Sequence, residues 1–312
     1  MITAYVDKPF GNTLAELGER YPNLVVLDAD LQRVTETSFF RARFPERYFN
    51  VGVAEANMVD IAVGLALTGK TAVCGTFACF ASQRACDQIT LLAHVNADVK
   101  IIGMEPALVS GSNGATHQGV FDLAVMRAMP NLTVFDPGDA TETVAVMRYM
   151  LEHPGPAYLR VVRGKSPVIL DPDSYQFQAG KAVRVREGGD VAILACGIML
   201  PRALAAAEQL AAAGIAVRVV SMASIKPLDE QEILAAARDI GCIVTAENHT
   251  ILGGLGSAVA EVVTERLPVP VIRVGIADSF GEIGPVEWLA EKYGMSSAHI
   301  AAACRKALAA KR

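Results

Sequence analysis

Short, almost wholly apolar runs recur along this chain, separated by longer stretches of helical spacing, and the whole pattern then begins again. The first set lies at residues 23–27, 71–74, 100–104, 132–135 and 157–162. The second lies at 191–196, 216–220, 242–246 and 270–274. Runs of this length without polar alternation read as strands buried on both faces. Between them, residues 54–67 place Ala54, Met58, Ile61 and Leu65 on one helical face, and residues 82–94 also read as a helix. Asp139 with Glu142 three residues on is a capping pair at a helix start. Strand–helix–strand alternation implies parallel sheets with helices on both faces. Pro167, Asp171, Pro172, Asp173, Gly180, Gly188 and Gly189 interrupt the periodicity between the two sets. The expected architecture is therefore α/β, with two doubly wound domains at 1–166 and 189–312 joined by a linker at 167–188.

Composition narrows the function. Of 312 residues, 52% are apolar and 20% charged, enough for real cores and unlike a disordered chain. The formal charge of −5 argues against a nucleic-acid binder, which needs a basic face for phosphates. No apolar run reaches the roughly 18 residues of a membrane helix, and the first residues carry no basic-then-apolar leader pattern. Cys74, Cys79, Cys86, Cys196, Cys242 and Cys304 are scattered with no C-x-x-C pair, so they read as reduced, mostly buried thiols in a cytoplasmic protein, and no metal site is expected.

In an open parallel sheet, ligands bind beyond the carboxyl ends of the strands. That draws attention to Asp28, Asp30, residues 74–77, Glu105 and Asp136, each of which serves equally as a turn or cap. Glu55 stands in the first turn of a helix, as a dipole partner or as a fixed acid aimed into a cleft. A Gly/Ser-rich loop at 110–117 ends in His117, either a surface feature or a substrate loop with a group able to titrate near neutrality. His94, His153, His249 and His299 lack such a setting and read as structural. Gly253, Gly254 and Gly256 open a helix, but residues 247–250 stand where the phosphate-binding fingerprint needs the strand itself, so tight backbone packing is the expectation there.

Four stretches taken together resemble the transketolase group of thiamine diphosphate enzymes: Gly52 to Met58, Gly75 to Phe80, Asn113 to Gln118, and Tyr158 to Gly164. The resemblance covers nearly the whole chain. It implies the pyrimidine-binding domain plus the transketolase C-terminal domain, as in the C-terminal subunit of a split transketolase. In that family the coenzyme's aminopyrimidine removes its own thiazolium proton as an imino tautomer, which a carboxylate on the pyrimidine nitrogen promotes. By resemblance that carboxylate is Glu55, Phe80 stacks on the pyrimidine, Phe77 lines the same pocket, and Asp30 stands near the cofactor. His117 is implied as a catalytic contact to substrate, with Asn113, Arg163 and Glu105 also substrate-facing. The family's Gly-Asp-Gly motif, which holds the diphosphate through Mg²⁺, does not occur in this sequence. The resemblance therefore implies a partner subunit that carries the diphosphate and Mg²⁺, with the cofactor between subunits in a two-plus-two heterotetramer.

The sequence also leaves the family's pattern. Asp7, Val34, Glu105 and Arg163 fall where phosphosugar transketolases place an Arg, a Ser, a His and an Arg around the sugar phosphate, and Asn113 replaces a substrate-hydroxyl acid. Only Arg163 keeps the cation, with Lys165, Arg160 and Arg33 as conceivable compensators. A dianion beside Glu105 would be repelled. The expectation is a subunit that moves a two-carbon ketol unit to or from a sugar other than the common pentose and hexose phosphates. The alternatives are a subunit like deoxyxylulose-phosphate synthase or the beta chain of 2-oxo-acid dehydrogenases, or a non-catalytic partner that kept the fold.

Overall fold

The computed structural model describes residues 2–311. Its first half runs β1 (Ala4–Asp7), α1 (Pro9–Arg20), β2 (Leu24–Asp28), α2 (Ser38–Arg43), β3 (Tyr48–Asn50), α3 (Glu55–Leu67), β4 (Thr71–Phe77), α4 (Ala78–Gln83), α5 (Cys86–His94), β5 (Val99–Met104), α6 (Asp122–Ala128), β6 (Thr133–Phe135), α7 (Ala140–Glu152), β7 (Ala157–Val161) and β8 (Lys165–Val168). The second half runs β9 (Val183–Arg186), β10 (Val191–Ala195), α8 (Met199–Ala211), β11 (Val217–Ser221), β12 (Ser224–Lys226), α9 (Glu230–Ile240), β13 (Ile243–Thr250), α10 (Leu255–Arg266), β14 (Val271–Ile276), α11 (Val286–Lys292) and α12 (Ser297–Ala310).

The apolar runs become strands because burial on both faces is the only way to satisfy them. All five residues of β2, β7 and β10 are buried, as are all six of β5. They assemble into a seven-stranded sheet of order β12-β6-β7-β5-β4-β2-β3 and a five-stranded sheet of order β14-β13-β10-β11-β9. Pairings are parallel except at one edge of each sheet, where β12 and β9 run antiparallel. The architecture is thus two doubly wound α/β layers with mainly parallel sheets.

Four details depart from the sequence reading. The strand at 157–162, last of its set in the sequence and so the expected close of the first sheet, is an interior strand, because β6 pairs beyond it and β12 crosses from the second half to pair with β6. The helix expected at 82–94 is two helices, broken at Ala85, whose φ of −102° and ψ of 11° leave the helical region. In α3 the buried face is Glu55, Met58, Val59 and Ala62, whereas Ile61 is 36% exposed. That helix is apolar on both sides, with Leu67 also exposed, the signature of a helix covered on two faces. The span expected to be a linker contributes β9 to the second sheet and, at its start, the end of β8, which pairs with β1.

The core is continuous across both halves. One cluster runs from Met58, Ile89 and Leu123 to Ile193, Val259 and Ile300. A second lies under α1 and α7, with Phe10, Leu14, Phe40 and Phe135.

Candidate active site

The parallel register brings the strand ends level. Phe77 pairs with Met104, and Met104 with Val161, while Asp28 lies between Gly75 and Asn50. The residues that follow these ends therefore gather along one edge of the first sheet, as the topology demands.

Glu55 is the first residue of α3 and is 4% exposed. Its Oε1 accepts from Arg84 Nη1 at 3.2 Å. The Arg84 guanidinium lies over the Phe80 ring, 4.1 Å from its centroid. Phe80 in turn meets Phe77 edge-on at 5.4 Å, and His117 packs against both rings at 5.2 Å. The sequence placed Glu55, the Phe77–Phe80 pair and His117 in three separate segments; the fold joins them in one seat, with Arg84 bridging Glu55 to Phe80. Gly119 permits this, since a Cβ there would lie 2.7 Å from the Cys79 nitrogen, so only glycine lets the His117 loop press against α4. Thr116 Oγ1 sits 3.0 Å from His117 Nδ1.

Sequence reasoning passed over Arg84. Its signal was present: it stands four residues after Phe80, the spacing of neighbours on one helical face.

Asp30 and Asp28 divide two tasks. Asp28 is fully buried and accepts from Leu31 N at 2.5 Å, Thr35 Oγ1 at 2.5 Å and Thr37 Oγ1 at 2.9 Å, which ties down the loop after β2. Asp30 is exposed and clasps Asn50 through its amide (3.0 Å) and its carboxylate (3.1 Å). Asn50 Oδ1 also accepts from Gly52 N at 3.0 Å. Asp30 thereby braces the turn that delivers Glu55.

Glu105 and Arg163 occupy a different place. They line a cavity of about 640 Å³ between the two halves, with Val109, Arg202, Glu287 and Ser297. Glu105 is buried, accepts from Arg163 N at 3.0 Å and stands 3.9 Å from Arg163 Nη2. Burial raises the Glu105 carboxyl above its ordinary range, against the pull of Arg163. The side chains of Asn113 and His117 do not line this cavity; Asn113 is exposed and donates to Ser110 Oγ at 3.1 Å. The segment 107–117 spans the distance from Val109 in the cavity to His117 in the seat.

Arg160 is no compensating cation. It is 1% exposed and committed to a buried knot. It donates to Asp122 through Nε (2.8 Å) and Nη2, to Asp136 Oδ2 at 3.1 Å and to the Asn248 carbonyl at 3.1 Å. Tyr158 also donates to Asp122, at 2.6 Å. Burial pushes Asp122 up, but Arg160 outweighs it and holds the carboxyl below its ordinary range. His249 belongs to the same interior, where burial lowers it to about 4. Its ring packs between Thr250 O and Ala124 N, so it is neutral and structural.

The glycines at 253–256 serve an internal acid. Leu255 N and Gly256 N donate to the Glu247 carboxylate at 2.7 and 2.8 Å, so that side chain caps α10 where a phosphate would otherwise sit. A Cβ at Gly254 would overlap Glu247 Oε2.

The seat suits one end of a coenzyme. A buried carboxylate beside two phenyl faces matches a flat heteroaromatic ring with a basic nitrogen. Among the described residues, no three His, Cys, Asp or Glu side chains converge to hold a metal ion. The geometry defines a two-domain α/β subunit in which a buried carboxylate and a cluster of aromatic rings meet beyond the strand ends of the first sheet.

Comparison with known proteins agrees. The transketolase pyrimidine-binding domain matches residues 4–168, and the transketolase C-terminal domain matches residues 180–300. A 6-deoxy-6-sulfo-D-fructose transketolase subunit, SqwH, from Clostridium sp. (strain MSTE9) is 43% identical over 97% of this chain and 92% of its own. A solved split-gene transketolase, described as an inactive beta4 tetramer, is 46% identical, with a TM-score of 0.91 over 97% of this chain and 98% of that one. The 1-deoxy-D-xylulose-5-phosphate synthase 1 of Geobacter sulfurreducens is 39% identical over 97% of this chain but 48% of its own. The chain belongs to the transketolase family, which depends on thiamine diphosphate, and its likeness to split-gene subunits runs over nearly its full length.

Proposed function

We propose that this chain is the C-terminal subunit of a split transketolase that moves a two-carbon ketol unit from a ketose to an aldose or aldehyde. The observation that carries the reading is the shared seat of Glu55, Phe80, Phe77 and His117. Thiamine diphosphate supplies the carbanion chemistry. Glu55 would hold the pyrimidine nitrogen and favour the reactive tautomer, with Phe80 and Phe77 packing its ring. Asp30 braces the Glu55 turn through Asn50. His117, fixed by both rings, faces substrate and moves or holds a proton at its hydroxyl or carbonyl oxygen.

We assign the diphosphate and Mg²⁺ to a partner subunit. The solved relative assembled from one kind of chain is described as inactive, and the exposed apolar side of α3 offers a surface for assembly. A two-plus-two heterotetramer in the cytoplasm fits both this surface and the free, largely buried cysteines. The domain division at 1–166 and 189–312, and the roles given to individual residues, belong to the same proposal.

Substrate choice follows from Glu105. It neutralises Arg163, the one cation kept from the phosphate clamp. Asp7 lies on exposed β1, and Val34 brings no charge. The site therefore favours a tail with less charge than a phosphate dianion, which carries about −1.5 to −2 near neutrality. The Clostridium relative is named for a sulfosugar, whose tail is of that kind. Asn113 would meet a hydroxyl of the sugar from the loop before His117.

The test is reconstitution with a diphosphate-domain partner. Glu55→Gln should lower ketol transfer by at least about a hundredfold. Parent-like turnover by that variant ends the proposal, and release of carbon dioxide from pyruvate would move the reading to the synthase-like alternative.

A further inference from the structure

The pyrimidine seat already holds a side chain of this protein. Arg84 touches both groups assigned to the coenzyme ring. It pairs with Glu55 Oε1 at 3.2 Å and covers the face of Phe80 at 4.1 Å. A planar guanidinium reproduces what an aminopyrimidine would offer there: N–H donors for the carboxylate and a flat π-surface for the phenyl. Two such occupants cannot share one carboxylate oxygen and one ring face.

Position makes the arrangement reversible. Arg84 is the residue where α4 stops, just before the non-helical Ala85. Its side chain is 55% exposed, so the guanidinium can swing into solvent with little loss. Glu55, at 4% exposure, cannot follow it. Without Arg84 the free subunit would hold a buried carboxylate with no other side-chain partner among the described residues.

We propose that Arg84 is a placeholder: it fills the pyrimidine seat of the free subunit, keeps Glu55 satisfied and oriented, and must leave when thiamine diphosphate binds. The inference rests on the functional reading above and adds a competition that the reading does not require. Arg84 here is a positioning residue, because it acts through Glu55 and Phe80 and not on substrate.

The test is calorimetric titration of the reconstituted complex with thiamine diphosphate, followed by stopped-flow association. Relative to parent, Arg84→Ala should bind the coenzyme about three- to tenfold more tightly, since an ion pair exposed on its Arg84 side and a stacked cation no longer compete. The gain should appear as faster association. Arg84→Lys keeps the charge but not the flat fork, and should fall between parent and Arg84→Ala. It also decides the matter should the alanine variant fail to fold. Unchanged or weaker binding by these variants would make Arg84 a permanent support of Glu55 and overturn the placeholder while leaving the functional reading intact. Failure of the parent complex itself to bind thiamine diphosphate would overturn both.

Discussion

Replacing Arg160 by Met tests whether the buried knot joins the two halves. The side chain is 1% exposed and donates to Asp122, Asp136 and the Asn248 carbonyl. Asp122 and Asp136 belong to the first half and Asn248 to β13 of the second. Methionine fills much of the volume but leaves two buried carboxylates with no cation. Removing one partner of a buried ion pair costs about 3–5 kcal/mol. At 2–4 °C per kcal/mol for large domains, Tm should fall by roughly 10 °C near pH 8.

The pH dependence gives the sharper signature. In the parent, Arg160 overcomes burial and depresses Asp122, so its contribution is present above the unfolded carboxyl value of about 3.9 and fades as pH falls through the lower folded value. Asp136 is already raised, because burial outweighs Arg160. Without the guanidinium both carboxyls are raised, and the folded variant holds protons that its unfolded chain has released. Its stability then falls as pH rises above about 4. The gap between parent and variant should therefore widen from pH 5 to pH 8 in calorimetric scans. A loss below about 1 kcal/mol at pH 8, or one of equal size at both pH values, refutes the reasoning. Adding Asp122→Asn and Asp136→Asn should recover most of the loss.

Two smaller changes follow from the same geometry. Glu105→Gln keeps the bond from Arg163 N but removes a negative charge from the cavity. In the reconstituted enzyme it should raise kcat/KM for a phosphorylated ketose by about tenfold, roughly 1.4 kcal/mol of relieved repulsion, and an unchanged ratio of phosphorylated to unphosphorylated substrate would count against the altered clamp. Gly254→Ala sets a Cβ against Glu247 Oε2 and should cost about 2 kcal/mol, read as a lower denaturant midpoint at constant slope.

What the sequence determined by itself was the layering. Runs such as 191–196 carry no polar alternation, so they had to be interior strands. The types of the site residues were legible too, since a carboxylate at a helix start and two phenyl groups three residues apart are local patterns. Tertiary structure decided what those residues touch. Gly119 against Cys79 brings His117 to Phe77 and Phe80, a contact between segments some forty residues apart that no spacing rule encodes. Strand pairing buried Arg160, which its sequence position left free to face a substrate, and turned it to Asp122 and Asp136. The break at Ala85 put Arg84 over Phe80. Periodicity records how each segment meets the average interior; partners, and with them the charge of a site, are set only when distant segments compete for the same buried space.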